Sequence, residues 1–466
     1  MTYIALIASF LIPLPLLAHG IGQRIDLAIP LDIYLGAATA VVILSFFIIA
    51  FLGKRTKQYD DYPSFDLFTL RFFRFLVHPL FLLGIKALSV AFLFVLIFAG
   101  FFGDQTPTDN ILPIFVWVAF TVFLTYFVAF VGNVWAVLNP WKTLHELFDA
   151  QEKFSFHCRW PTWLGVWPAF ALMFGFRFVE NIYPNATNPE ILAGIISAFS
   201  VITFIGMVVF GRRQWLAQGD PFSVFFDFLS RVSILVFEKT HTGTRLMLRL
   251  PCVGILKSSA SSLSETAFVL LMLASVSFDG VSSTAQAVSF LTFFLNNGVS
   301  LVAAKTILFV AVFALFVGMY VLFALLIKNY ARTNISVSTI AHRFVLSLLP
   351  IAVVYEVAHF TTLLITEGQR VFILLSDPFG FEWNLFGTAL NTVNYSFINF
   401  KLLWNFEVAL ILLGHVASLY IAHMVALLVF SDAKQAVRSQ VPMLVLMVVY
   451  TVLGLWILAQ PPALIG

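Results

Sequence analysis

Charged residues are scarce in this chain: Asp, Glu, Lys and Arg make up 11% of its 466 residues, less than half the share in an ordinary soluble domain. The 26 Lys and Arg fall singly or in short clusters between apolar runs, and the formal net charge is only +3. No basic stripe exists to track a phosphate backbone, so nucleic acid is excluded as a partner. Cysteine is nearly absent too. Cys158 and Cys252 are too few for a disulfide framework, and neither has a second cysteine at metal-ligand spacing, so both read as inert, reduced thiols. Internal repeats are lacking, so self-similarity gives an inverted-repeat transporter fold no support.

What fills the chain instead is apolar surface. Hydrophobic residues make up 61% of it, with 54 Phe, and the mean hydropathy is +0.97. A spanning helix needs roughly 20 apolar residues, because about 30 Å of hydrocarbon is crossed at a 1.5 Å rise per residue. The expected fold is all-α, a polytopic transmembrane helical bundle of about eleven crossings. By this rule they lie near Thr2–Ala18, Leu35–Leu52, Leu83–Phe102, Ile111–Val131, Trp163–Val179, Ile191–Phe210, Thr266–Phe278, Ile307–Ile327, Phe344–Thr366, Trp404–Phe430 and Met443–Leu458. Ala287–Val302 is apolar but broken by Asn296-Asn297-Gly298, so it is expected to be re-entrant or interfacial. Residues 1–18 are ambiguous between a cleaved signal peptide and a first anchor. Residues 19–466 form one membrane domain, and no oligomeric state is specified.

Cytoplasmic loops retain Lys and Arg. With these crossings, 21 of the 26 basic residues fall on one side, including Lys54, Arg212, Lys328 and Lys434. That side is taken as cytoplasmic. Residues 211–262 then form the longest cytoplasmic piece, with Trp215, Phe222, Phe225, Phe226 and Phe228 suggesting helices lying in the interface. Residues 367–403 form a long outer loop, a candidate lid.

Each ionisable group inside a membrane needs a reason, since insertion costs roughly 2.5–3.5 kcal/mol. Glu356 and His359 lie three apart on one helix face, a spacing used by carboxylate-bridged metal sites. His415 and His423 lie on the next crossing, about 12 Å apart along its axis. Depth counted from the outer ends brings Glu356, His359 and His415 to a common level. Two histidines and a carboxylate suit zinc or non-haem iron, and an open position there would activate water. Polar interhelix contacts and a proton or ion relay are the alternatives. Asp279, in Ser277-Phe278-Asp279-Gly280, is either a helix stop or part of the site. Arg177 and Glu180 are expected to pair with each other. If residues 1–18 are removed, His19 offers an α-amine and an imidazole, a copper chelate. His78, His145, His157 and His241 are expected to be solvated loop residues.

Several strings resemble a bacterial group of integral membrane proteins known as fenitrothion hydrolases. They include His19-Gly20 with Arg24-Ile25-Asp26-Leu27, Asn139-Pro140-Trp141, Trp163-Leu164-Gly165-Val166-Trp167-Pro168 and Gly219-Asp220-Pro221-Phe222. Phe278-Asp279-Gly280, Ala358-His359-Phe360, Leu385-Phe386-Gly387-Thr388, Gly414-His415-Val416-Ala417, Ala422-His423 and Arg438-Ser439-Gln440-Val441-Pro442-Met443 continue it along nearly the whole chain. Met424 departs from the family, in which an acidic residue follows the histidine, and puts a charged role there in doubt. The resemblance implies phosphotriester hydrolysis in the bacterial inner membrane.

The leading expectation is therefore a metal-dependent hydrolase of a small hydrophobic or phosphoester substrate. Its catalytic set would be Glu356, His359, His415 and Asp279, its divalent metal zinc, iron or copper, and its metal ligands Glu356, His359, His415 and His19. A transporter or metal-handling permease, and a scaffold subunit, are the rivals. Below Glu356 its own helix offers only Ser347 before Arg343, which favours a closed pocket over a path.

Overall fold

The computed structural model describes residues 31–52, 59–240, 243–257, 259–260, 262–430 and 432–459. Among them nine helices are long and apolar enough to cross a membrane. The helices in chain order are α1 Leu31–Leu52, α2 Pro79–Phe102, α3 Ile111–Phe130, α4 Pro140–Phe148, α5 Trp167–Asn181, α6 Pro189–Phe210, α7 Arg212–Gln218 and α8 Pro221–Ser230. They continue as α9 Leu263–Ser282, α10 Ala285–Asn296, α11 Leu301–Ala331, α12 Val337–Leu374, α13 Phe400–Val429 and α14 Ala433–Leu458. The chain is a multi-pass membrane protein of all-α class.

The helices start where side chains satisfy their first free N–H groups. Asn188, Ser262, Ser300 and Asn399 cap α6, α9, α11 and α13, and proline opens α2, α4, α5, α6 and α8, where its missing N–H is harmless. Burial then sorts the helices. In its most apolar stretch α9 is 83% buried and α12 67%, against 11% for α2, so α9 and α12 form the centre and α2 faces outward. The central pair packs against α5, α11 and α13, and α14 closes the bundle between α11, α13 and α1. A Cβ on Gly414 would come within 2.2 Å of Val354 Cγ2. Glycine at that point is what allows α13 to press against α12. The middle of α3, Phe115–Leu124, is π-helical and packs on α12.

Several expectations are corrected. The expected crossing at Trp163–Val179 is only the 15-residue α5, about 22 Å long at a 1.5 Å rise and short of the hydrocarbon thickness. The preceding stretch is a turn held by Ser264, whose Oγ accepts from Val166 N–H at 2.9 Å. The expected crossing at Thr2–Ala18 and the position His19 lie outside the described residues. The apolar run at 287–302 is, as expected, broken at Asn296-Asn297-Gly298: the 12-residue α10 ends at Asn296 and a turn follows at Gly298 with φ 78°.

Within 211–262 the helices are present, but Phe222, Phe225, Phe226 and Phe228 are buried in the core rather than lying in an interface. Phe222 meets Phe120, Phe176 and Phe199 edge-on. The same segment contributes strands Leu235–Thr240 and Gly243–Arg249, an antiparallel hairpin extended on its second strand by Ser64–Asp66. The outer loop is shorter than expected because α12 runs on to Leu374, and it rests on the end of α2: Phe379 packs on Phe98, and its carbonyl accepts from Asp104 N–H. His145 is buried against Phe204 rather than solvated.

Candidate functional site

Helices α5, α9 and α12 bring five ionisable side chains together inside the bundle. Asp279 does not end its helix; α9 continues to Ser282, and one carboxylate oxygen lies 2.7 Å from His359 Nε2 on α12. One turn away on α12, Glu356 meets Arg177 of α5 at 3.4 Å, and Arg177 also binds Glu180 at 2.7 Å. The expected Arg177–Glu180 pair is therefore present, with Glu356 as an additional partner. Arg177 and Glu356 are each about 6% exposed in their side chains, and removing such charges from water is tolerable only with partners of opposite sign. The guanidinium also stands over the Phe225 ring at 5.8 Å. The Tyr126 hydroxyl of α3 donates to the Val357 carbonyl at 2.8 Å, fixing the α12 backbone beside Glu356.

The expected metal trio does not assemble. Glu356 is engaged by Arg177, and His359 by Asp279, while His415 turns its Nδ1 to the Ile411 carbonyl of its own helix at 2.8 Å. Among the described residues no group of three or more His, Cys, Asp or Glu is arranged to hold a metal ion. Among the described residues the side chains do not form the ligand set that the spacing suggested, so no chemistry is derived through a metal.

Other polar groups continue from this cluster along α13 and α14. Glu407, His415 and His423 succeed one another at intervals of eight residues, about 12 Å each along α13. All three are buried, as is Ser418 between the histidines. His423 Nδ1 lies 2.8 Å from Oε1 of Gln440 on α14. The thin polar supply on α12 below Glu356 was a property of one helix; the neighbouring helices provide what it lacks.

Glu407 went unremarked in the sequence, although a lone carboxylate in an apolar run was signal enough. The tyrosines Tyr355 and Tyr450 gave no signal, because tyrosine in a membrane helix is ordinary. A second site was also missed. The N-termini of α4 and α8 meet where the Asn139 amide approaches Asp220 at 3.5 Å. Asp220 is wholly buried; one of its oxygens accepts from Ser223 N–H and Oγ–H, and the other has no side-chain or backbone partner within hydrogen-bond distance among the described residues. Burial pushes its carboxyl up to about 6, against hydrogen bonds from Ser223, Phe222 and Asn139 that pull it down.

No known protein family, curated protein or solved structure matches the chain. The resemblance to fenitrothion hydrolases rests on the quoted strings alone.

Proposed function

We propose that this protein is an inner-membrane permease that carries protons, with the His359–Asp279 pair as its outer station. The observation that carries the reading is that pair itself: an imidazole, the side chain whose charge changes most readily near neutral pH, hydrogen-bonded at 2.7 Å to a carboxylate within the helical bundle. Intramembrane ionisable groups mark ion and proton pathways by default. Support comes from Glu356, Glu180 and Arg177 beside the pair, and from the buried groups His415, Ser418, His423 and Gln440 beyond it. Arg177 binds both neighbouring carboxylates, and the histidine pair is the proposed seat of the labile proton.

The test is purified protein in liposomes under an imposed pH gradient, with an internal pH-sensitive dye. The parent protein should dissipate the gradient, and His359→Ala and Asp279→Asn should each suppress the flux. Flux that is unchanged in both variants would sink the proposal. Turnover of a test phosphotriester that is lost in His359→Ala but kept in His423→Ala would instead favour the hydrolase expected from the resemblance.

A further inference from the structure

Between α9, α11, α12, α13 and α14 the bundle leaves a cavity of about 20 Å³, lined among others by Ser277, Tyr355, His415, Tyr450 and Gly454. Three of these residues carry a fully buried polar atom with no hydrogen-bond partner among the described residues: the hydroxyls of Tyr355 and Tyr450, and Nε2 of His415. Buried polar groups are almost always satisfied by protein or by ordered water. The roles of these three follow from what surrounds them. His415 Nδ1 is 2.8 Å from the Ile411 carbonyl oxygen, and a carbonyl only accepts, so Nδ1 bears the hydrogen. In the neutral ring Nε2 is then a bare lone pair. Two hydroxyl donors and one acceptor therefore border a space larger than the roughly 10–15 Å³ a water needs and far smaller than the roughly 300 Å³ of a small-molecule site.

We infer that this cavity is a water site, in which one water donates to His415 Nε2 and accepts from the Tyr355 and Tyr450 hydroxyls. Three bonds is the usual number for a buried water. The site also has a neighbour on its outer side. A Cβ built on Gly280 would lie 3.4 Å from the Tyr355 hydroxyl and 3.5 Å from His359 Cε1, and it would strike Ile457 at 2.3 Å. Glycine there lets the Tyr355 hydroxyl and the His359 ring approach the same point. Tyr355 thus stands between the His359–Asp279 pair and the water.

The purpose of the site rests on the proton-permease reading, though its existence does not. In one hop the water O–H bond facing His415 breaks as an Nε2–H bond forms. The water regains a proton from the Tyr355 hydroxyl, which is replenished from the His359 side. No electrons are transferred between groups, the water is regenerated, and one proton has moved inward.

Gly454→Ala is the decisive variant, because its methyl would lie 3.5 Å from Tyr355 Cε2, an ordinary contact, and so enter the cavity without a clash. Solid-state NMR of the full chain in liposomes, with ¹⁵N-labelled histidine, reads magnetisation transfer from water to His415 Nε2. The parent should show a neutral, Nδ1-protonated ring in contact with water. Gly454→Ala should lose that contact, and Tyr450→Phe, which removes one donor and adds no atoms, should weaken it. A dry His415 in the parent, or a water contact untouched by both variants, overturns the site. Proton flux is the separate arm: it should fall severalfold in Gly454→Ala, and flux at the parent level with the water displaced overturns the water's place in the path. Absence of flux from the parent itself would sink only the permease reading, since the NMR contact is read without it.

Discussion

Two junctions of the protein hold buried or half-buried carboxylates and stabilise them by different means. At the α5–α9–α12 junction, Glu180 and Glu356 share Arg177, and Asp279 has His359. At the α4–α8 junction, Asp220 has no cationic partner among the described residues; it accepts from Ser223 and from the Asn139 amide at the start of two helices. Opposite charge within a low-dielectric interior holds a carboxylate ionised, whereas neutral donors and helix ends only partly replace the lost hydration. The first arrangement gives its carboxylates cationic or imidazole partners. The second leaves a carboxyl whose protonation changes just below neutral pH.

The largest effect should come from breaking the first arrangement. Arg177→Leu strands the buried Glu356 and the partly buried Glu180 and is expected to lower stability by about 3–5 kcal/mol, read by thermal or denaturant unfolding in detergent. Adding Glu356→Gln should restore part of the loss, because the stranded charge is then gone. Strict additivity of the two changes would mean that the pair is not coupled.

The second arrangement should show itself in the pH dependence. A folded carboxyl raised from 3.8 to about 6 stabilises the fold fully below its ordinary value, and that contribution is lost as pH rises through about 6. The parent should therefore be more stable at pH 5 than at pH 7.5. Asp220→Asn should remove the part due to this group, about 1.4 kcal/mol between these two pH values, since proton affinity favours the folded form by about one further tenfold step across that window. An identical pH slope in both proteins would show that Asp220 stays charged throughout.

The smallest effect sharpens the contrast. Asn139→Ala deletes the α4 cap, which accepts from Lys142 N–H at 2.9 Å, and with it one donor to Asp220. It should cost about 1 kcal/mol. It should also raise the pH at which the Asp220 contribution is lost, since a donor that favoured the charged form is gone. A lowered midpoint would exclude the amide as a donor to the carboxylate.

Hydropathy alone placed nine of the eleven expected crossings on helices, because a bilayer of fixed thickness demands long apolar runs and each run reports its own composition. It misjudged α5, since an apolar stretch says nothing of the turn that Ser264 imposes from 98 residues away. Glu356, His359, Asp279 and Arg177 were legible as anomalies for a similar reason: a charge in an apolar run stands out locally. Their partners were not. The i, i+3 rule found Arg177–Glu180 within one helix, but Glu356–Arg177 spans 179 residues and His359–Asp279 spans 80.

Composition and the spacing of apolar runs determined that this chain is a helical membrane protein and that a few polar residues inside it must be explained. The tertiary structure alone decided that Glu356, His359 and His415 have three different partners, that Tyr355, Tyr450 and His415 line one cavity, and that Asn139 meets Asp220. A hydrophobic run reports the solvent it will meet, whereas a buried charge or lone pair is matched by whichever helix packs beside it.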